Sequence, residues 1–179
     1  RQTARRLDLD LLFLAGALVL GADRHDAIGV NVERHLDLRH AARGGRDADQ
    51  IELAIDGDMP SVRADRGQME QLLHNLIGNA VKYGRAGAPV KVTLAPDLAG
   101  MVRLSVSDQG EGIAPSDIPR VTERFYRVDV KRSRKLSGTG LGLAIVKHVL
   151  MRHDAQLQIV SELGKGSCFS CEFPQKRMC

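Results

Sequence analysis

The sequence predicts an α+β domain, and three features of its patterning carry that prediction. Five short stretches between Ile51 and Phe173 alternate apolar and polar residues as half-buried strands do. Two longer stretches place their apolar residues on a single helical face. Two glycine runs, DQGEGI from Asp108 and GTGLGLAIVKH from Gly138, stand where a strand ends and where a helix begins.

The elements follow in order. Ile51 to Ile55 alternates as a strand, DGDMP turns, and Val62 sits in a short extended piece. Asp65 is placed to cap a helix from about Arg66 to Tyr83, whose apolar face is Met69, Leu72, Leu73, Leu76, Ile77 and Ala80. Gly84 stops it. Val90 to Leu94 and Met101 to Val106 read as strands joined by a turn around Pro96 to Gly100. Leu141 to about Arg152 reads as a second helix. Leu157 to Ser161 and Cys168 to Phe173 are the last strands, around a turn from Leu163 to Gly166.

The first fifty residues differ in character. All their basic residues are arginine or histidine, the first lysine is Lys82, the first serine is Ser61, and the apolar periodicity is poor. Residues 1–50 are therefore set apart as a poorly defined N-terminal segment, and 51–179 as the folded domain. The apolar stretch Leu11 to Leu20 is too short to span a bilayer, and Asp8 and Asp10 precede it where an export signal carries positive charge. No direct membrane contact is expected.

Composition narrows the function. Of 179 residues, 43% are hydrophobic, enough for a real core. With 26 Lys and Arg against 22 Asp and Glu the formal charge is only +4, and aromatics are 3% with no tryptophan. Neither bulk nucleic-acid binding nor base stacking on an aromatic surface is indicated. Three cysteines near the C-terminus make no disulfide framework and fit a reducing cytosol.

The chemistry can now be placed. Asn75 and Asn79 are one helical turn apart, so both amides project from one side of their helix, where an amide oxygen can bind a hard cation. Solvated or backbone-bonded asparagines are the alternative. Lys82 adds a cation on nearly the same face, and Tyr83 lies beside it. Asp108 ends the strand RLSVSD, where its carboxylate can accept from an exocyclic amine; guanine would offer a carbonyl there and be repelled. Between the glycine runs, ERFYRVDVKRSRK holds Phe125 and Tyr126 among Arg124, Arg127, Lys131, Arg132, Arg134 and Lys135, a pattern that favours a closing lid over a merely solvated loop. Gly138, Gly140 and Gly142 open a helix whose N-terminal amides suit polyphosphate.

In order and spacing, NLIGNAVKY, DQGEGI, ERFYRVD and GTGLGLAIVKH resemble the N box, first glycine box, F box and second glycine box of bacterial sensor histidine kinases, and of the phosphate-regulon subfamily in particular. The resemblance covers most of Asp65 to Phe173. It implies a two-layer α/β sandwich of the Bergerat type, with a mixed sheet of about five strands backed by about three helices. It also implies ATP and Mg2+ as ligands. By motif position Asn79 would hold the metal, with Asn75 assisting. Lys82 and Tyr83 would contact the nucleotide, and Asp108 would bind the adenine amine, with Gly110 and Gly112 allowing close backbone approach. Arg127 would reach toward the γ-phosphate, and Phe125 would anchor the lid. Gly138, Thr139, Gly140, Leu141 and Gly142 would meet the phosphates; by family position Ser167 would come near the adenine, whereas its place alone reads as a strand-edge hydroxyl. The implied partners are a phosphoacceptor histidine domain and a response regulator, with full-length relatives homodimeric and the chain forming the cytoplasmic portion of an inner-membrane-anchored kinase.

Two positions qualify this resemblance. Related hydrolytic ATPases carry a glutamate one turn before the metal-binding asparagine, as a base for water. Here that place is Asn75, and an amide cannot take a proton from water. Glu70 lies two and a half turns from Asn79 and points the other way. A kinase is thereby favoured over a hydrolytic ATPase, with a non-catalytic nucleotide-binding module that docks a partner through its lid as the further alternative. The phosphoacceptor motif HExxxP is absent, and His25, His35 and His40 lack its neighbours. Residues 1–50 thus read as a degenerate or truncated dimerisation stem, and the chain is expected to bind ATP without phosphorylating itself. His74, His148 and His153 read as structural or surface residues, and Cys168 and Cys171 as sulfurs on opposite faces of one strand.

Overall fold

A computed structural model describes residues 51–56, 64–96, 100–128 and 139–174. The N-terminal segment, the Val62 piece, Gly138 and the basic run from Lys131 to Lys135 lie outside the described residues.

Among the described residues, β1 (Ile51–Ile55), α1 (Arg66–Tyr83), β2 (Val90–Pro96), β3 (Val102–Asp108), α2 (Gly142–Arg152), β4 (Gln156–Glu162) and β5 (Gly166–Phe173) follow in sequence, with a 3-10 turn at Ile118–Arg120. The five strands form one sheet in the order β1-β2-β3-β5-β4. β1 and β2 are parallel and every other pair is antiparallel, so the sheet is mixed. The two α-helices and the 3-10 turn are the described counterpart of the helical layer that the resemblance implies.

α1 forms where the sequence places it. Asp65 adopts an extended conformation and its side chain accepts the Gln68 amide at 2.8 Å, satisfying one of the free donors of the first turn. The buried face is Met69, Leu72, Leu73, Leu76, Ile77 and Ala80. Gly84 ends the helix in an extended conformation, its amide still bonded to the Ala80 carbonyl; a Cβ there would overlap that carbonyl oxygen. α2 contributes Val146, Val149 and Leu150. The sheet answers with Val92, Leu94, Val102, Leu104, Val106, Phe169, Cys171 and Phe173, so the core lies between the helices and one sheet face. Each large apolar side chain sealed there contributes about 1.5–3 kcal/mol.

His153 joins the helices at one end. Its Nε2 accepts the Asp65 amide at 3.0 Å, and its Nδ1 lies 2.8 Å from the Val149 carbonyl. A carbonyl only accepts, so the proton sits on Nδ1 and the ring is the neutral tautomer. The end of α2 is thereby clipped to the start of α1, a structural role of the kind the sequence suggests.

The opposite sheet face carries a buried charge. Glu172, 5% exposed, accepts from Arg103 Nη2 at 2.7 Å and from Gln158 Nε2 at 3.0 Å. Both carboxylate oxygens are thus partnered, which a buried carboxylate requires.

Candidate functional site

The asparagine pair of α1 faces the start of α2. Asn75 Nδ2 donates to the Gln71 carbonyl at 2.7 Å, which orients the amide and frees Oδ1. A Cβ added at Gly142 would stand 3.0 Å from that Oδ1 and 3.8 Å from Asn79 Nδ2. Gly142 is therefore the residue that lets both asparagines approach the first turn of α2. No side chain caps that turn. Its backbone amides and partial positive charge remain available beside two amide side chains, an arrangement suited to an anion with an accompanying cation.

At the other end of α1, Lys82 Nζ lies 4.9 Å from the centre of the Tyr83 ring, which is 45% exposed. The chain then turns at Gly84, whose Cβ position lies 3.5 Å from Asp108 Cβ. Asp108 thus abuts the end of the asparagine helix. Its carboxylate accepts the Gly110 amide at 2.8 Å and also draws on the Ser167 amide. Burial nevertheless dominates and pushes its acidity toward higher pH, against those two hydrogen bonds. A partly desolvated acceptor at a strand end suits an amine donor.

The first glycine run packs against backbone from two other segments. A Cβ on Gly110 would overlap the Tyr83 carbonyl, and one on Gly112, with φ +72, would overlap the Glu162 carbonyl. The space beside both glycines is filled by this chain's own backbone. Gly110 and Gly112 therefore fasten the loop to α1 and to the β4–β5 turn by close backbone-to-backbone approach. The Gly164 amide donates to the Glu111 carbonyl at 2.7 Å and completes this seam. Ser161, which the sequence marks only as a strand residue, joins it as well. Its Oγ accepts the Ile113 amide at 2.8 Å, donates to the Gly166 carbonyl at 2.9 Å, and lies 2.9 Å from Ser167 Oγ. A lone hydroxyl near a strand end carries no spacing signal that would have marked it.

Phe125 departs from expectation. The residue is 70% exposed, so little of it is packed against the described domain. Its backbone does the joining: the amide donates to the Gly140 carbonyl at 2.9 Å, with Phe125 at φ +65 and Gly140 at φ +71. A Cβ on Gly140 would come within 2.9 Å of Phe125 Cα. The aromatic that holds this segment is Tyr126. Its hydroxyl donates to Asp117 Oδ1 at 2.7 Å, and the Arg120 guanidinium lies 4.3 Å from its ring centre. The bond to Asp117 holds the Tyr126 phenol above its ordinary range. Arg127 and Leu141 are half-buried and Thr139 is exposed, while Gly138 lies outside the described residues.

Cys171 points into the core and Cys168 lies on the other face, and burial pushes the Cys171 thiol up to about 12. Among the described residues no group of three or more His, Cys, Asp or Glu side chains is placed to hold a metal, and no helix is long and apolar enough to cross a membrane.

The fold and these converging segments define a sandwich ATPase domain. Residues 64–177 match the family described as "Histidine kinase-, DNA gyrase B-, and HSP90-like ATPase", and the chain belongs to that family. Its relatives are sensor histidine kinases. It is 47% identical over 112 residues to the phosphate regulon sensor protein PhoR of Pseudomonas aeruginosa, covering 63% of this chain and 25% of that protein. It is 40% identical over 131 residues to the sensor-like histidine kinase SenX3 of Mycolicibacterium smegmatis, covering 72% of this chain and 34% of the relative. Among solved structures it is similar to the mycobacterial sensor histidine kinase MprB, with a TM-score of 0.64 and 30% identity over 79% of this chain and 92% of that one. Full-length ShkA in complex with AMPPNP gives a TM-score of 0.64 and 30% identity, over 97% of this chain and 31% of that one. The chain spans about a quarter to a third of the length of these curated relatives. Separately, residues 1–64 match a family described as NAD-specific glutamate dehydrogenase, a minority of the chain that lies almost wholly outside the described residues.

Proposed function

We propose that residues 51–179 bind ATP and transfer its γ-phosphoryl group to a histidine on another domain or chain, as the catalytic half of a phosphate-regulon-type sensor histidine kinase. The observation that carries this reading is the meeting of Asn75 and Asn79 with the first turn of α2 across Gly142. It puts two amides, free helix-terminal donors and a glycine-permitted gap at one point, the chemistry a triphosphate needs. The donor set fits magnesium, which takes few protein ligands when phosphates supply the rest. Asn79 would hold it, with Asn75 assisting, and bound Mg2+ would neutralise charge on the phosphate oxygens.

This chain's own residues do the remainder. Asp108, drawn partly out of water, accepts the adenine amine. Lys82 and Tyr83 contact the nucleotide beside it. Arg127, Thr139, Gly140, Leu141 and Gly142 face the phosphates from the segments that Phe125 and Gly140 join. Catalysis is then positioning and charge neutralisation while the phosphoryl group leaves ADP and meets an imidazole nitrogen. Asn75 favours this outcome over hydrolysis, because an amide deprotonates no water. The partners are a phosphoacceptor histidine domain and, after it, a response regulator, with the chain as the cytoplasmic portion of a membrane-anchored homodimer. Residues 1–50 stand in the place of the dimerisation stem.

Incubation of the chain with labelled ATP and magnesium, with and without a separately made phosphoacceptor stem, tests this. Label transferred to the stem is the expected result. Release of free phosphate without the stem would instead make the protein a hydrolase.

A further inference from the structure

Asp108, Ser167 and Ser161 stand in one cross-strand row at the end of the sheet. Asp108 is registered with Ser167, and Ser167 with Ser161. Alternation along β3, β5 and β4 places all three on the face that carries the core, with Val106, Phe169 and Ile159 two residues away. The row begins at the carboxylate assigned above to the base and ends at a hydroxyl that touches no ligand in that reading.

A serine hydroxyl has one proton and two lone pairs. Ser161 Oγ has three partners: the Ile113 amide at 2.8 Å, the Gly166 carbonyl at 2.9 Å and Ser167 Oγ at 2.9 Å. The amide can only donate and the carbonyl can only accept, so the Ser161 proton goes to Gly166. The contact with Ser167 must then run the other way, with Ser167 as donor. Ser167 is 8% exposed, and its one proton is committed to Ser161. Beside Asp108 it can offer only lone pairs.

We infer that Ser161 is a positioning residue for base selectivity. By taking the Ser167 proton it leaves the Ser167 oxygen as a second acceptor next to the Asp108 carboxylate, and the site takes a purine with an exocyclic amine and refuses one with a carbonyl there. This rests on the reading of Asp108 as the base-binding residue. Without the Ser161 hydroxyl, Ser167 regains a free proton and can turn it toward a carbonyl. Loss of Ser161 therefore weakens the refusal of a carbonyl base beyond any general loosening of the Ile113 loop.

The test is titration of the full chain with ATP and with inosine triphosphate, which carries a carbonyl in place of the amine, both with magnesium. The unaltered chain should prefer ATP. Ser161→Ala should narrow the ATP to inosine triphosphate affinity ratio by about tenfold, and Ser161→Thr, which retains the hydroxyl, should preserve it. If Ser161→Ala does not fold, Ser161→Cys keeps the volume with a much weaker acceptor and should narrow the ratio in the same direction. A purely structural role would weaken both nucleotides alike and leave the ratio intact; that result, or an equal loss in Ser161→Thr, overturns the inference while the ATP reading stands. Failure of the unaltered chain to bind ATP or to prefer it overturns the adenine reading and the inference together.

Discussion

Gly110 is seated against Tyr83: a Cβ on Gly110 would overlap the Tyr83 carbonyl oxygen and come within 2.8 Å of Asp108 Oδ1. One residue with no side chain therefore closes the asparagine helix onto the loop that follows Asp108. Gly110→Ala should destabilise the domain by about 2–3 kcal/mol, because backbone on both sides must move to admit a methyl group. Urea denaturation read by circular dichroism measures this, and a midpoint equal to that of the unaltered chain would show the seam to be pliable.

Asp108→Asn should separate stability from binding. The amide oxygen can still accept the Gly110 amide, and the substitution removes a carboxylate that burial disfavours, so unfolding stability at neutral pH should hold or rise. ATP affinity should fall by about tenfold, since a charged acceptor becomes a neutral one.

The same residue carries a pH signature. Burial holds its pKa above the ordinary 3.8 of the unfolded chain, so the native state takes up this proton first as pH falls. Its contribution to stability therefore grows as pH drops through the folded value and levels off below 3.8. The stability difference between the unaltered chain and Asp108→Asn, followed from neutral pH down to about pH 3.5, should shift in favour of the unaltered chain. The opposite slope would mean that hydrogen bonding, not burial, dominates the site.

Asn79→Ala should lower ATP affinity in magnesium by between about tenfold and a hundredfold while leaving the thermal midpoint nearly unchanged, because Asn79 lies outside the core. Calorimetric titration with and without magnesium distinguishes the cases. If the loss is the same in both, Asn79 acts on the nucleotide and not through the metal.

His153→Ala should cost about 1 kcal/mol by leaving the Asp65 amide without its acceptor, with little change in nucleotide affinity. Nitrogen chemical shifts of the ring should show the proton on Nδ1. An Nε2-protonated ring would contradict the clip between the two helices.

Cys171 should resist alkylation in the native protein, since its thiol is held up to about 12 and it lies in the core. Peptide mapping after iodoacetamide treatment should find Cys171 modified only in denaturant.

Much of this architecture was legible residue by residue. The Asp65 cap, the six-residue apolar face of α1 and the stop at Gly84 follow from local rules, because a helix satisfies its hydrogen bonds within itself and shows its buried face as a period. β1 has the bounds its alternation gives and Asp108 ends its strand as expected, while β2, β4 and β5 run past the bounds that alternation marks, to Pro96, from Gln156 to Glu162 and from Gly166. β3 runs on to Asp108 because that residue pairs with Ser167 across the sheet, and pairing needs no apolar alternation. Strand order was not legible at all, since the parallel pairing of β1 with β2 depends on the path of the chain through α1.

By itself the sequence determined the helices, most of the strands and, through four ordered motifs, the family. Only the tertiary structure decided what their residues face. It turned Gly110 and Gly112 inward onto Tyr83 and Glu162, exposed Phe125 while binding its backbone to Gly140, and drew Ser161 into the row that ends at Asp108. The reason is physical. A motif records which residue types a place needs, whereas the direction of a glycine's open side and the donor of a hydroxyl's one proton depend on neighbours brought from elsewhere in the chain.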